Sequence, residues 1–291
     1  MAPGARSSLW RPGRDFLPIP AGQDVHSVVG MIVGRKKIWL GAAASLVAAA
    51  SLAAGVLRPD RISPGEARSR ASHTEARPAA GTTAYGGAVD CGELRCIALT
   101  FDAGPGKDTP ELLDLLKKEQ VPATFFLLGE NHVRKHPKTV RRMAAEGHEL
   151  ANHTWSHRIL TDLDAEGIRT ELARTQDAIE RVTGRKPTLM RPPQGRTDRE
   201  VARVSRELGL AQVLWSATAK DYSTTDSALI TRRILDAADR DGIILLHDIY
   251  DGTVPAVPGI IAELKRRGYT FVTVPQLLAP GVAEPGAVYK P

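Results

Sequence analysis

Five short runs along this chain carry residue types that do chemistry. Thr100-Phe101-Asp102-Ala103-Gly104-Pro105 closes an apolar stretch with a carboxylate. An Asp where a strand ends and a Gly-Pro turn begins lies at the rim where strand–helix folds do catalysis, although Asp before Gly is also ordinary turn chemistry. In His153-Thr154-Trp155-Ser156-His157 two imidazoles four residues apart share one face of a helical turn and can take one metal ion. The alternative is two unrelated polar or core histidines. Asn152, just before them, can orient one of the rings. In Arg191-Pro192-Pro193-Gln194-Gly195 two prolines fix the backbone and a glycine permits close approach of a substrate. That loop can present a backbone N–H to a developing oxyanion, or can be a plain connection; Arg191 can pair with a carboxylate. Asp221-Tyr222 and Leu245-Leu246-His247-Asp248 complete the set. His247, at the carboxy end of an apolar run, is placed to be a general acid or to be a satisfied, half-buried histidine.

Groups so far apart in sequence can meet only if strands carry them to a common edge. From Cys96 onward, apolar runs of strand length alternate with amphipathic helical stretches. Strands are expected at Cys96–Phe101, Ala123–Leu128, Glu149–Ala151, Thr188–Met190, Ala211–Trp215, Gly242–Leu246 and Thr270–Thr273. Helices are expected at Glu111–Glu119, Thr139–Glu146, Glu166–Thr183, Glu200–Leu208 and Gly259–Arg267, several followed by a Gly that suits a left-handed cap. Alternating strand and helix imply a parallel sheet, open or closed into a barrel, with function at the carboxy ends of its strands.

The five runs in this order, T-F-D-x-G-P, H-[ST]-x-x-H, R-P-P-x-G, D-[WY] and L-x-H, each at a strand end, resemble the polysaccharide deacetylase (NodB-homology) family, also called carbohydrate esterase family 4. The match extends from about Cys96 to Leu278. The resemblance implies a distorted (β/α) barrel of parallel strands with its site at the carboxy-terminal rim. It implies a divalent metal, zinc with cobalt able to substitute, that activates water against an acetamide or ester carbonyl. Residue by residue, Asp102 matches the general base, and His153 and His157 match the metal-binding histidines. Arg191 matches the group that holds the base, and the backbone at Gln194 the oxyanion donor. His247 matches the general acid, Asp221 the carboxylate that tunes it, and Leu245 and Tyr222 the walls of the acetyl pocket.

Three positions depart from the family pattern. Ala103 stands where the family usually places a metal-binding Asp, which leaves two visible ligands where a catalytic zinc normally has three and an open position. Water or another carboxylate then completes the shell, or the ion is held weakly or not at all. Gln194 replaces the usual Tyr, where only the backbone is needed. Thr218-Ala219-Lys220-Asp221-Tyr222 replaces a run that often begins with Asp and ends with Trp, which reshapes the pocket.

Charge bears on partners. The 291-residue chain is formally +6, but residues 1–77 hold 11 Lys/Arg against 5 Asp/Glu, and the remainder carries 28 of each. A neutral globular part argues against nucleic acid as a partner. Ile38 to Leu57 is uncharged, long enough to span a bilayer, and preceded by Arg35-Lys36-Lys37, which marks a cytoplasmic flank. The expected organisation is a basic leader over 1–37, a transmembrane anchor or signal segment over 38–57, and a flexible Ala/Arg/Ser/Gly/Pro linker over 58–88. The deacetylase-like domain follows over 89–282 and a tail over 283–291. The domain is then extracytoplasmic, membrane-anchored or secreted. Cys91 and Cys96 have the wrong spacing for a redox motif and no second pair to complete a zinc site; in an exported chain a disulfide closing a small loop is expected.

These features point to an amidase that removes N-acetyl groups from amino sugars of a cell-wall polysaccharide, above all peptidoglycan. Two rivals stand beside it: a chitooligosaccharide deacetylase or acetylxylan esterase, and a catalytically silent carbohydrate-binding protein, the reading that Ala103 favours.

Overall fold

The computed structural model describes residues 61–72 and 89–291. The basic leader over 1–37 and the expected membrane segment over 38–57 lie outside the described residues. Among those described, no helix is long and apolar enough to cross a membrane.

Among the described residues, ten strands, all paired in parallel, make one curled sheet that does not close. Its order is β1 (Arg61–Ile62), β10 (Val288–Tyr289), β6 (Ala211–Val213), β5 (Leu189–Met190), β4 (Glu149–Asn152), β3 (Thr124–Leu127), β2 (Arg95–Asp102), β8 (Gly242–Leu246) and β7 (Ala217–Thr218). Strand β9 (Tyr269–Val272) pairs with the first half of β2. The helices are α1 (Pro64–Ser72), α2 (Thr109–Glu119), α3 (Pro137–Ala145), α4 (Ala165–Thr183), α5 (Arg199–Glu207), α6 (Ser227–Ala237), α7 (Thr253–Arg266) and α8 (Val274–Leu278).

The strands are buried on both faces, which is why they read as nearly continuous apolar runs. From β2, Ile97, Leu99 and Phe101 face one core with Leu112, Leu116, Ile260 and Leu264 of the helices. Cys96 and Ala98 face a second core that gathers Phe126, Val213, Val272, Leu277 and Tyr289. Local chemistry fixes the helix starts: Asp164, Asp198 and Asp226 each accept the backbone N–H three residues on, and Thr273 with Gln276 closes a capping box.

Register brings the chemistry together. Phe101 pairs with Leu246, so Asp102 and His247 leave their strands side by side. Asn152 pairs with Met190, so His153 and Arg191 do the same. Strand β3 joins the two pairs, because Asp102 aligns with Phe126 and Asn152 with Leu127.

The structure differs from the sequence reading at several elements. Residues 61–72 fall inside the stretch expected to be a flexible linker, yet they form β1 and α1. Ile62 and Ala67 are buried there, and Arg68 bonds the Leu277 carbonyl at 2.9 Å and Asp241 at 2.6 Å. The stretch 283–291, expected to be a tail, places β10 inside the sheet between β1 and β6 because Val288 and Tyr289 are apolar enough to be fully covered. Helix α6 and strand β7 were not expected. Helix α7 begins at Thr253, six residues before the expected Gly259, and runs through Pro258. Cys91 and Cys96 form a disulfide, with Cα atoms 5.4 Å apart.

Candidate active site

Asp102 ends β2 almost wholly buried. Its Oδ1 accepts a 2.7 Å hydrogen bond from Arg191 Nη1, and its Oδ2 lies 3.9 Å from His153 Nε2. Arg191 has no exposed surface. Burial presses its pKa down, and the adjacent Asp102 opposes that. A guanidinium can stay charged there because its donors are satisfied: Thr100 Oγ1 at 2.7 Å, the Val213 carbonyl at 3.0 Å, and the Phe126 ring 4.0 Å beneath it.

His153 Nδ1 lies 2.8 Å from the Arg191 carbonyl, so Nδ1 carries the proton and Nε2 presents a lone pair toward Asp102. Burial lowers the His153 pKa to about 4 and also lowers that of His157, whose ring centroid is 5.0 Å away. Both rings are therefore neutral near pH 7, the form that ligates metal. Two sequence expectations are corrected here. The His153–His157 run is a loop rather than a helical turn: Thr154 and His157 adopt φ of 73° and 63°. Asn152 does not orient an imidazole. Its side chain bonds the Leu172 carbonyl and the Thr154 N–H, and the Arg191 carbonyl does the orienting.

Across the rim, His247 Nδ1 sits 2.8 Å from Asp221 Oδ1. The second Asp221 oxygen accepts from the His247 N–H at 2.7 Å and from Thr253 Oγ1 at 2.8 Å. Burial works against a charged imidazolium, but the hydrogen bond and charge of Asp221 outweigh it and hold His247 above its ordinary pKa; the charge of Asp102 adds to this. Leu245 is buried one strand residue below Leu246, and Tyr222 is 58% exposed beside His247. Gln194 adopts φ 57° in a turn closed by the Gly195 N–H on the Pro192 carbonyl. Gly195 has a φ of 67°, and a Cβ there would press on Trp215 at 3.0 Å, so both backbone and packing favour glycine.

Sequence reasoning missed two buried carboxylates. Glu171 of α4 accepts from the Trp155 N–H at 3.0 Å, the Ser156 N–H at 2.8 Å and Ser156 Oγ at 2.7 Å, which ties down the loop between the two histidines. Its signal was a Glu in the middle of the buried face of an amphipathic helix. Asp248 accepts from Thr109 Oγ1, whose oxygen in turn receives the Gly106 N–H at 2.7 Å. Its other oxygen is buried with no partner among the described residues and fills the space where a side chain on Gly104 would go. Burial raises the Asp248 pKa to about 6.

Of seven non-glycine residues with positive φ among those described, five are in these rim loops: Ala103, Thr154, His157, Gln194 and Lys220. Such conformations persist only where the surroundings enforce them, and they concentrate at functional sites.

His153 and His157, with ring centroids 5.0 Å apart, are the two imidazoles that would hold a divalent ion. Among the described residues no group of three His, Cys, Asp or Glu is arranged to hold one. Ala103, where the family pattern led to the expectation of a carboxylate, is buried next to Asp102 and offers no donor.

The fold and rim define a parallel-stranded α/β protein with a carboxylate–imidazole constellation at the ends of its strands. The polysaccharide deacetylase family profile matches residues 90–213. A Listeria monocytogenes peptidoglycan-N-acetylglucosamine deacetylase, PgdA, is 38% identical over 182 residues, 62% of this chain and 38% of that protein. A Bradyrhizobium chitooligosaccharide deacetylase is 36% identical over 204 residues, 65% of this chain and 93% of that protein. The solved structure of T48 deacetylase with substrate superimposes with a TM-score of 0.67 at 44% identity, covering 69% of this chain and all of that one. The chain belongs to the polysaccharide deacetylase family, while spanning well under half the length of the Listeria relative.

Proposed function

We propose that this chain is an extracytoplasmic N-deacetylase that removes acetyl groups from amino sugars of a cell-wall polysaccharide, with peptidoglycan as the leading substrate. The observation that carries the reading is the pairing of two opposed devices at one rim. Asp102 accepts a 2.7 Å hydrogen bond from Arg191, and Asp221, 2.8 Å from the His247 ring, holds the His247 pKa above its ordinary value. A fixed carboxylate able to accept a proton, facing an imidazole biased to carry one, is what acyl transfer to water needs. The relatives' names support the substrate class, and the uncharged segment behind a basic cluster supports export, with the domain tethered or released.

In this reading Asp102 takes the proton of the attacking water at Oδ2, since Oδ1 is engaged by Arg191. The Gln194 backbone N–H, turned by its left-handed conformation, donates to the oxyanion. Leu245 and Tyr222 enclose the acetyl methyl. His247 gives its Nε2 proton to the departing nitrogen, and Asp221 stabilises the imidazolium until that transfer. A divalent ion held by His153 and His157, zinc or cobalt, supplies carbonyl polarisation and a more acidic water when bound.

Acetate release from peptidoglycan and from N-acetylglucosamine oligomers, measured with and without added zinc or cobalt, tests the proposal. Release that vanishes in Asp102→Asn is expected. A second reading, a silent carbohydrate binder, is favoured by one observation, the alanine at 103 with no third ligand beside it. Sugar binding with no acetate released from any substrate would select it over the deacetylase.

A further inference from the structure

Four large apolar or aromatic side chains are exposed among the described residues: Leu94, Tyr222, Tyr250 and Val282. Two of these four stand against the same imidazole. The Tyr222 ring centroid is 6.2 Å from that of His247, with planes 84° apart; the Tyr250 centroid is 5.4 Å away, with planes 64° apart. Tyr250 is carried on the turn that leaves β8. Its N–H meets the His247 carbonyl at 3.4 Å and its own carbonyl accepts the Thr253 N–H at 3.0 Å, so the backbone that places the imidazole also places this ring. Burial, with the charge of Asp221, raises the Tyr250 pKa, so the phenol stays neutral and the ring keeps an apolar face with a polar tip.

A pyranose ring has the matching character: a face of axial C–H bonds bounded by hydroxyls. Aromatic side chains with one polar end are suited to such amphipathic partners. The nitrogen that receives the proton of His247 has two carbon substituents, the acetyl carbonyl and a ring carbon of the sugar. The sequence resemblance assigns Tyr222 to the acetyl side and leaves the sugar ring without a partner. We infer that Tyr250 is a specificity-determining residue that receives the apolar face of the pyranose ring bearing the acetamide, so that the site selects amino-sugar oligosaccharides over simple acetyl esters. This inference rests on the deacetylase reading of the same rim.

Steady-state kinetics on an N-acetylglucosamine tetramer and on a small aryl acetate, with calorimetric binding of the tetramer, test it in the full chain and in Tyr250→Ala, Tyr250→Phe and Tyr250→Trp. In Tyr250→Ala the tetramer KM and Kd should rise about tenfold, more than kcat falls, and selectivity over the aryl acetate should drop by a similar factor. The Phe and Trp variants should recover most of the loss. Unchanged KM and Kd in Tyr250→Ala, or an equal loss on both substrates, would overturn the inference and leave the deacetylase reading in place. Wild-type chain that binds the tetramer through Tyr250 but releases no acetate would keep the contact and remove the deacetylase. Failure to bind or deacetylate the tetramer at all would remove both.

Discussion

Asp221 touches His247 twice, at the ring and at the backbone, so it governs both the position of the imidazole and its proton. Because the His247 pKa is raised, the acid form survives past the ordinary value and is lost as pH climbs through the raised one. Asp221→Asn removes the charge and should move the alkaline limb of the rate–pH profile to lower pH while reducing turnover by about tenfold to a hundredfold. An NMR titration of the His247 ring alongside the profile checks it; an unmoved limb would assign that limb to another group. Ala103 poses the complementary question. Its φ of 65° is one that Asp tolerates better than Ala, and a carboxylate there would add a third donor to two imidazoles. Ala103→Asp should bind zinc at least tenfold more tightly in a calorimetric titration; equal affinities would mean that another group already completes the shell. That Asp102, His153, Arg191 and His247 share one rim was legible because each is a reactive residue type at or just past the end of an apolar run. The role of Asn152 was not, because its amide partners, the Leu172 carbonyl and the Thr154 N–H, are set by tertiary packing and by a loop conformation that no local spacing reveals.

Between β4 and α4 the chain carries both metal-type histidines on an irregular loop, and the loop keeps its shape through Glu171 rather than through helical hydrogen bonds. Replacing Glu171 by Ala takes the acceptor from two half-buried N–H groups and a hydroxyl, a loss of about 1–3 kcal/mol. The expected result is a clear drop in the urea midpoint together with weaker zinc binding. Full stability would show that water replaces the carboxylate at no cost. On the other side of the rim, the turn after β2 lies directly on Asp248, where a Cβ at Gly104 would come 2.3 Å from Oδ1. Gly104→Ala should therefore displace Asp102 or Asp248 and lower both stability and acetate release; wild-type values would show that the turn can shift freely. Alternation of strand and helix was readable wherever a strand is buried on both faces, as in Ile97–Phe101 and Gly242–Leu246. It failed where packing outweighs pattern. Strand β7 has only two residues, and α7 accommodates Pro255 and Pro258 within its first two turns. Helix α6 was announced only by its Asp226 cap and the pair Ile230–Ile234.

At the scale of the whole molecule, one edge of the sheet is built from two segments that flank the central fold, residues 61–62 and 288–289. Strand β10 lies between β6 and β1, and the Lys290 N–H reaches the Ile62 carbonyl at 3.0 Å, so residues 61–62 and 288–290 are bound to each other as well as to the sheet. Helix α1 then lies against α8, with Arg68 bridging the Leu277 carbonyl and Asp241. Composition hid both segments: Arg61–Ser72 is charged and rich in small residues, and only Ile62 and Ala67 signal burial. If these twelve residues belong to the fold, a chain beginning at Val89 should be less stable than one beginning at Asp60. Lost burial of Ile62 and Ala67 and the lost bonds of Arg68 together amount to about 2–5 kcal/mol. Urea unfolding of the two shortened chains measures the difference directly. Asp102, Arg191 and His247 are carried by β2, β8 and the loop after β5, whose pairings involve neither segment, so the rim should survive in the shorter one and acetate release per folded molecule should stay close to that of the longer. Equal midpoints would return residues 61–72 to the status of a linker. A rim that fails while the domain stays folded would show that the strap at the sheet edge also sets the geometry of the site.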